Sequence, residues 1–430
     1  MKRIMNCSMT LLAAMICTAH SLRAADAPTP STNAVTIEFL VTEALEKNPE
    51  LKFYRAEIAA AKANRKTASK LSNPELSAQF GQKRAHDASR TLIGEGTAWA
   101  VSLNQTFEWP GRIGLRKSIA NQDIEMAEMG LAKFQSALAG RMRELGYRHL
   151  SVLQKAAASR EVADRFQTLL SILVQRDPGG LTPVLETRII EANTLTYQRR
   201  ASTVSIEAAE TLLELNQLRG QPVQTKLEIL AEQIELRPAE AIESLLQRAR
   251  LNNFELRLRQ SELEQQGFLV NLARNERYPA VTVGPYISGE RAGDRERTVG
   301  VGISFPIPLW KANGNNIEVA ELRRVQAEAS LATAVREVER KVVSAALAYR
   351  VKLAEVDRWR PDSVGKFREA AELADRHYRL GAVPVATYVE LQRQYLEAME
   401  ALLSTKQEAL EVAQQIELLV GSALSPVPLP

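Results

Sequence analysis

The chain is poor in the residue types from which catalytic, redox and metal sites are built. It has two cysteines in 430 residues, Cys7 and Cys17, and both lie close to the N-terminus. Beyond that segment the histidines are His86, His149 and His377, which are too far apart in sequence to suggest a metal-ligand cluster. No Ser, Cys or Thr lies in a nucleophile motif, and the carboxylates are spread along the chain. We therefore expect no enzyme activity, no cofactor and no metal site.

Aromatic residues and excess charge are also scarce. Phe, Trp and Tyr make up only 5% of the chain, which leaves little material for a bulky core. The 55 basic and 51 acidic side chains nearly balance and alternate along helical patterns, as solvated helix faces do, so nucleic-acid binding is not expected. The abundance of Ala, Leu, Glu, Arg and Gln favours long helices.

Only one long apolar run is present, and it lies at the N-terminus. It follows Lys2 and Arg3 and ends in small residues at Ala24 and Ala25, which predicts a signal peptide at 1–25. An alternative use of Cys17 as a lipid acceptor is disfavoured by the residues before it. No other stretch has about 18 apolar residues, so any membrane crossing by the mature chain would have to use strands.

The chain consists of two similar halves. Residues 37–51 resemble 242–256 about 205 positions later, and 101–110 correspond to 301–310. Each half has the order helix, two strands, long helix, Gly/Pro turn, helix. The expected segments are a signal peptide at 1–25, a first repeat at 26–219, a linker at 220–238, a second repeat at 239–424 and a disordered tail at 425–430. The strands are expected within 74–109 and 279–309, and the turns at 177–183 and 379–384.

Two helical patterns, at 112–176 and 314–379, are about 65 residues long, which corresponds to about 100 Å. Pro361 is expected to kink the second. The flanking helices are each about half as long and are expected at 38–72, 183–219, 239–276 and 385–421. Two short helices stacked end to end would match one long helix, which predicts a helical barrel of constant wall thickness.

The strand segments alternate with a period of two. Val299, Val301 and Ile303 alternate with Gly300 and Gly302, so one face is apolar and the other is built of small residues. The strands are long enough to cross a membrane when tilted. The connections at 83–97 and 290–297 are charged and Gly-rich and are expected to be outer loops. Four strands cannot close a barrel, so they would pair with strands of other subunits. A soluble hairpin packed on helices is the alternative explanation.

Four short stretches resemble TolC-like outer-membrane efflux proteins. They are Asn-Pro-Glu-Leu at 48–51, Asn-Pro at 73–74, Pro-Gly-Arg at 110–112 and Tyr-Arg-Leu-Gly at 378–381. The resemblance covers essentially the whole mature chain in order. Glu-Trp-Pro-Gly-Arg at 108–112 is most similar to the heavy-metal efflux branch, the CzcC-like channels that work with proton-driven pumps.

This resemblance implies a mainly α-helical homotrimer in the outer membrane that extends into the periplasm. Each chain would supply four transmembrane β-strands to a shared 12-stranded β-barrel, continued by a long α-helical barrel of coiled-coil character. The trimer would be a passive exit duct of a tripartite pump and would conduct substrates, with heavy-metal cations as a candidate, from an inner-membrane pump and a periplasmic adaptor (membrane fusion) protein to the outside. Outer-membrane lipid would surround the barrel.

The resemblance also implies roles for residues at the two helix tips. Glu186, Glu390 and Tyr378 correspond to a pore constriction. The adaptor-contact positions are Gly180, Leu181, Gly381 and Ala382. Val383 and Thr387 stand where the family has an arginine and a second acid. The sequence therefore does not show which interaction would hold the closed state. The alternative for both glutamates is an ordinary solvated helix charge.

Two other function classes fit the sequence. An outlet of a type I secretion or drug-efflux system would share the fold and differ in its adaptor. A periplasmic coiled-coil scaffold or adaptor would share the helices and lack the membrane trimer. The sequence alone names neither the transported substrate nor the pump and adaptor.

Overall fold

The computed structural model describes residues 34–175, 181–230, 236–307, 314–359 and 363–421. The expected signal peptide and tail, together with Gly180 and Pro361, lie outside these ranges. The helices of the described residues are α1 (Ile37–Lys47), α2 (Leu51–Ala68), α3 (Arg112–Val174), α4 (Leu181–Leu218), α5 (Ile242–Asn252), α6 (Phe254–Asn275), α7 (Gly314–Arg358), α8 (Ser363–Arg379) and α9 (Val385–Val420). The strands are β1 (Glu75–His86), β2 (Leu92–Phe107), β3 (Val281–Ala292) and β4 (Asp294–Ser304).

The longest element is α3, with 63 residues, so it extends over about 95 Å. It packs against α4 and α1 on one part of its length and against α2 and α6 on another. Its bounds, and those of α4 and α9, agree with the helical patterns of the sequence. Within the described chain, no helix combines the length and apolarity that a membrane span requires.

The predicted single helix at 38–72 is wrong, because the structure divides it into α1 and α2. Pro49 disfavours a helical conformation at Asn48, whose ψ is 126°. The Asn48 side chain closes the break: its Nδ2 donates to the Leu218 carbonyl oxygen at 2.9 Å, and its Oδ1 accepts from the Glu50 backbone N–H at 2.9 Å. The end of α4 is thereby joined to the start of α2.

The predicted helix at 239–276 is divided in the same way, into α5 and α6. Asn253 has a ψ of 126° without a following proline. Its Nδ2 donates to the Leu419 carbonyl oxygen at 2.6 Å, and its Oδ1 accepts from the backbone N–H groups of Glu255 and Leu256. Asn253 therefore caps α6, and it satisfies a carbonyl at the end of α9 that has no partner within the helix.

The second long pattern, predicted as one helix at 314–379, consists of α7 and α8. Helix α7 ends at Arg358 and α8 begins at Ser363. The expected kink at Pro361 falls on residues 360–362, which lie outside the described ranges.

The four strands form one antiparallel sheet in the order β1-β2-β3-β4, which leaves β1 and β4 at its edges. The predicted outer loops at 83–97 and 290–297 are wrong, since β1 and β2 are joined by residues 87–91 and β3 and β4 turn at Gly293 alone. The charged residues do not interrupt the strands, because they pair with oppositely charged residues on other strands of the sheet. Lys83 contacts Glu290, and Arg84 contacts Glu95 at 2.8 Å.

One face of the sheet is apolar and exposed. Phe80, Val299 and Val301 have exposed fractions of 82%, 76% and 66%. A soluble hairpin packed on helices would bury such a face, so the structure contradicts that alternative for these strands. The expected strand ends at 109 and 309 lie too far along the chain, because β2 ends at Phe107 and β4 at Ser304.

The buried residues of the helices form several separate clusters. One lies where α1 packs on the middle of α3 and includes Leu40 and Met142. A second joins α5, α7 and α9 through Leu245, Val342 and Val420. A third, around the ends of α3, α4, α8 and α9, supports the candidate site described next.

Candidate functional site

The turn between α8 and α9 has a defined backbone geometry. The Gly381 N–H donates to the Tyr378 carbonyl and the Ala382 N–H to the His377 carbonyl, both at 2.9 Å. This pair of bonds is a Schellman motif, which requires a left-handed residue at its turn. Gly381 has φ of 73°, so a side chain there would strain the backbone even though the space around it is open. The glycine therefore has a conformational reason to be present.

Aromatic rings connect the four helices behind this turn. Tyr378 of α8 stacks on Tyr388 of α9 with ring centroids 5.2 Å apart. Tyr388 also packs against Phe166 of α3 at 5.1 Å, and Phe166 stacks on Tyr197 of α4 at 4.7 Å. Burial raises the pKa of the Tyr388 hydroxyl, and the nearby Asp375 carboxylate adds to the shift. The hydroxyl is neutral at physiological pH, and the rings form a rigid base for the tip.

A groove of about 500 Å³ lies between this turn and the ends of α3 and α4. It brings together Glu186, Tyr378, Gly381 and Ala382, four of the residues that the sequence predicted for the tips. The remaining lining is mainly apolar and consists of Leu169, Ile172, Leu173, Arg379, Val383 and Pro384. Leu181 is the first residue of α4, and Gly180 lies outside the described residues.

Glu390 has a different environment from Glu186. It lies on α9, where its carboxylate accepts hydrogen bonds from Arg393 at 2.7 and 3.0 Å and from Gln394 at 2.7 Å. These bonds, the one from Arg393 foremost, lower the pKa of Glu390. Arg393 also contacts Glu397 at 3.0 Å. The charge of Glu390 is thus partly compensated within its own helix.

Sequence reasoning missed an ionic cluster near the tip. Arg165 of α3 contacts Glu161 at 2.6 Å, Glu372 of α8 at 3.4 Å and Gln392 of α9 at 3.3 Å. Arg368 of α8 contacts Glu161 and Glu372 at 3.3 and 3.2 Å. We call these five residues the Arg165 cluster.

The Arg165 cluster joins helices of both repeats, because α3 belongs to the first and α8 and α9 to the second. Arg165 is largely buried, with 15% of its side chain exposed. The only signal in the sequence is a Glu/Arg pair four residues apart in each of two helices, and periodicity alone cannot bring the two pairs together.

The stretch Glu108-Trp109-Pro110-Gly111-Arg112 forms the joint between sheet and helices. Arg112 donates to the Tyr278 carbonyl at 2.8 Å and to Asn275 Oδ1 at 3.1 Å, and the Trp109 ring stacks on Tyr278 with centroids 4.8 Å apart. Glu108 contacts Arg116. Each charged side chain of the stretch therefore has a structural partner.

No three His, Cys, Asp or Glu side chains of the described ranges lie close enough together to hold a metal ion. The carboxylates of Glu161, Glu372 and Glu390 are instead paired with arginines. The tip residues described above provide hydrophobic contacts and charged groups, and they include no arrangement of a nucleophile with a general base.

Residues 245–422 match the family model described as outer membrane efflux protein. Over 414 residues the chain is 22% identical to the pyoverdine export outer membrane protein OpmQ of Pseudomonas aeruginosa, which covers 88% of this chain and 84% of OpmQ.

Solved structures share the fold. A membrane protein from Pseudomonas aeruginosa superposes with a TM-score of 0.73 at 16% identity, over 95% of this chain and 97% of that one. The open state of the MtrE outer membrane channel of Neisseria gonorrhoeae gives a TM-score of 0.70 at 17% identity, over 93% and 94% of the two chains.

The family match covers the second repeat, and the shared fold extends over nearly the whole chain. The matched family and structures are outer membrane channel proteins and not enzymes, which confirms the expectation from the sequence. The heavy-metal branch is not singled out by these matches. The second half of the chain thus matches the outer membrane efflux protein family, and the fold of the described residues is that of solved outer membrane channels.

Proposed function

We propose that three copies of this chain form the exit duct of a tripartite efflux pump. Each chain contributes β1 to β4 to a 12-stranded barrel in the outer membrane, and its helices to a tunnel through the periplasm. The two repeats, at 26–219 and 239–424, contribute equivalent halves of each wall. Substrate passes through without chemical change, and an inner-membrane pump selects it.

The observation that carries this proposal is the sheet with its exposed apolar face and two edge strands. In lipid, backbone N–H and C=O groups must all be paired, because no water is present to replace a missing partner. The edges of β1 and β4 are unpaired in a single chain. Pairing β4 of one copy with β1 of the next removes all edges when the ring closes.

The tip groove supports a contact with a periplasmic adaptor. Polar and apolar groups contribute about equally to its lining surface, and Leu380 beside it has an exposed fraction of 74%. A hairpin of small or apolar residues would bury this surface. Gly180 and Leu181 of the first tip, and Gly381 and Ala382 of the second, are the proposed contact residues.

Ala382 is the better position for testing that contact. Replacing it with Trp adds bulk at an exposed residue and avoids the backbone strain that any side chain at Gly381 would cause. We expect Ala382→Trp to abolish efflux with normal yield of membrane-inserted protein. Efflux at the wild-type level in Ala382→Trp would remove this turn from the adaptor contact.

The substrate proposal is heavy-metal cations, and it rests on the resemblance at residues 108–112. Those residues form the sheet–helix joint here, so their resemblance to the heavy-metal branch carries little information about the substrate. The likeness to OpmQ favours a second candidate, an outlet of the pyoverdine-export type.

Expression together with its own pump and adaptor, in a strain lacking other outlets, separates these candidates. Increased resistance to zinc, cobalt or cadmium salts supports metal cations. Unchanged metal resistance combined with restored export of an organic compound supports the second candidate.

The duct itself is tested by the mass and conductance of the purified protein. Light scattering in detergent should give three chains per particle, and planar bilayers should show discrete channels. Monomers without conductance would contradict the proposal.

A further inference from the structure

The apolar face of the sheet ends in arginines. In an antiparallel pair, directly opposite residues point to the same face, and alternate residues along a strand share it. On β4 the face that carries Val301 and Val299 continues to Arg297 and then Arg295. Arg291 of β3 lies directly opposite Arg295 and therefore belongs to the same face. We call Arg291, Arg295 and Arg297 the arginine rim.

The rim lacks compensating charge in the part of the chain that the structure describes. All three side chains are exposed, and none is within ion-pair distance of a described carboxylate. On the opposite face Lys83 contacts both Glu290 and Glu296. The strand ends thus carry excess negative charge on that face and the unpaired arginine rim on the other.

Placing Arg291 directly opposite Arg295 is unfavourable by itself. Like charges at facing positions of an antiparallel pair destabilise it. The arrangement becomes favourable when an anion lies between them, because each guanidinium can donate two hydrogen bonds to a phosphate.

Trp99 fixes the level of the rim relative to the membrane. Its indole lies across Gly289, where an added Cβ would be 2.7 Å from Trp99 Nε1, and Gly289 is the partner of Arg297. Tryptophan in membrane strands concentrates at the boundary between hydrocarbon and headgroups. Arg297 therefore lies at this boundary, and Arg291 and Arg295 lie one row, about 7 Å, farther out.

The rim is at the end of the sheet remote from the helices, because β2 leads into α3 at its other end. Under the proposed function, on which this inference rests, that end faces the outside of the cell. The partner must therefore carry negative charge and adjoin hydrocarbon at the same time.

We propose that the arginine rim binds phosphate groups of lipid headgroups in the outer leaflet. The apolar face below the rim contacts the acyl chains of the same lipid, and Arg291, Arg295 and Arg297 clamp its phosphates. A soluble anion would match the charge but would leave the adjoining apolar face unused, so the rim selects a phosphorylated lipid over free phosphate.

The test uses the delipidated full chain in a neutral detergent, with bound lipid counted per chain by native mass spectrometry. The probes are bisphosphorylated lipid A, its dephosphorylated form and inorganic phosphate. The test variant replaces all three rim arginines with Gln. Arg84→Gln is the matched control, because Arg84 is at the same end and face but is already paired with Glu95.

We expect the wild type and Arg84→Gln to retain the phosphorylated lipid, and the triple variant to bind it at least about tenfold less tightly. Equal retention by the triple variant overturns the proposal. So does equal binding of the dephosphorylated lipid, or displacement of lipid by inorganic phosphate.

If the triple variant dissociates into monomers but keeps its bound lipid, the rim contacts a neighbouring subunit and the lipid proposal is wrong. Lipid is counted per chain, so this test does not depend on the trimer. A wild-type protein that is monomeric but loses phosphorylated lipid only when the rim is replaced would contradict the trimeric duct and leave the lipid proposal intact.

Discussion

Asn48 and Asn253 make the same two kinds of contact at corresponding positions of the two repeats. Each donates its Nδ2 to a carbonyl near the end of a distant helix, Leu218 in one case and Leu419 in the other. Each accepts on its Oδ1 from the backbone at the start of the following helix. A single side chain thus connects the end of one helix to the beginning of the next, twice in the chain.

Glycines complete both joints. Gly220 and Gly421, just past the ends of α4 and α9, each have φ of 66°. A Cβ at Gly220 would lie 2.6 Å from the Lys47 carbonyl oxygen, and one at Gly421 would lie 2.0 Å from that of Asn252. Each joint therefore combines a close approach of two backbone segments at the glycine with the hydrogen bonds of the asparagine.

Replacing these asparagines should destabilise the helices. We expect Asn48→Ala and Asn253→Ala each to lower the free energy of unfolding by about 1–3 kcal/mol, because each leaves buried backbone groups without partners. Denaturant titration followed by circular dichroism measures the loss. Asn64→Ala, at an exposed position on α2, is the control and should change little. An unchanged stability in both joint variants would contradict the role of the joints.

Stability should also depend on pH through Glu43. Its carboxylate is buried, which by itself raises the pKa, but hydrogen bonds from Arg219 at 2.6 Å, Lys47 and Gln221 together lower it. A lowered folded-state pKa contributes stability above the unfolded value near 4.5, and this contribution is lost as the pH falls through the folded pKa.

Glu43→Gln should therefore cost about 3–5 kcal/mol at pH 7, because Arg219 becomes a buried charge without its partner. The difference from the wild type should shrink as the pH falls below the unfolded value of 4.5 and through the lowered pKa of Glu43. Unfolding measured at pH 7 and at low pH checks this, with Glu50→Gln on the exposed turn as the control. A difference that does not change with pH would assign the effect to packing.

The Arg165 cluster should hold the tip closed, because it ties α3 to α8 and α9. Arg165→Met keeps about the length of the aliphatic part of the side chain and removes the guanidinium. We expect this variant, assembled in planar bilayers, to show a larger single-channel conductance than the wild type. Arg188→Met, which breaks an exposed pair within α4, should not. Equal conductance in all three proteins would exclude the cluster from gating.

Glu186 should contribute more to ion selectivity than Glu390. Three copies of a carboxylate around a narrow entrance favour cations, and Glu390 is already compensated by Arg393. We expect Glu186→Gln to lower the cation preference more than Glu390→Gln, most clearly at low salt, because screening weakens the field at about 0.1 M. The reversal potential in a salt gradient measures the preference. A preference that survives both substitutions would mean that neither side chain lines the constriction.

Much of the helical architecture could be predicted from the sequence, because α3, α4 and α9 run without a break over 63, 38 and 36 residues. The breaks at Asn48 and Asn253 could not, since a capped joint depends on a carbonyl about 170 residues away in the chain. The charged strand ends were predicted as loops for a similar reason. Lys83 and Glu290 are compatible with strands only once they face each other.

The candidate site was predicted unevenly. Glu186, Tyr378, Gly381 and Ala382 do meet around one groove. The Arg165 cluster was missed because its members come from three helices and carry no motif. The stretch at 108–112 was interpreted as a mark of one branch, and the structure gives it a role in joining Arg112 to Tyr278.

Cross-linking between the sheet edges tests the central proposal most directly. Cys7 and Cys17 are the only cysteines and can be replaced by serine without altering the described chain. Ala78→Cys on β1 is then combined in turn with cysteine at Val299, Val301 or Ile303 on β4, all of which share the apolar face. Leu347→Cys on α7 replaces the β4 partner in the control.

We expect oxidation of outer-membrane fractions to give a covalent trimer for at least one of the three pairs and none for the control. A chain that stays monomeric with every pair, or that is recovered in the soluble periplasm, would contradict the shared barrel.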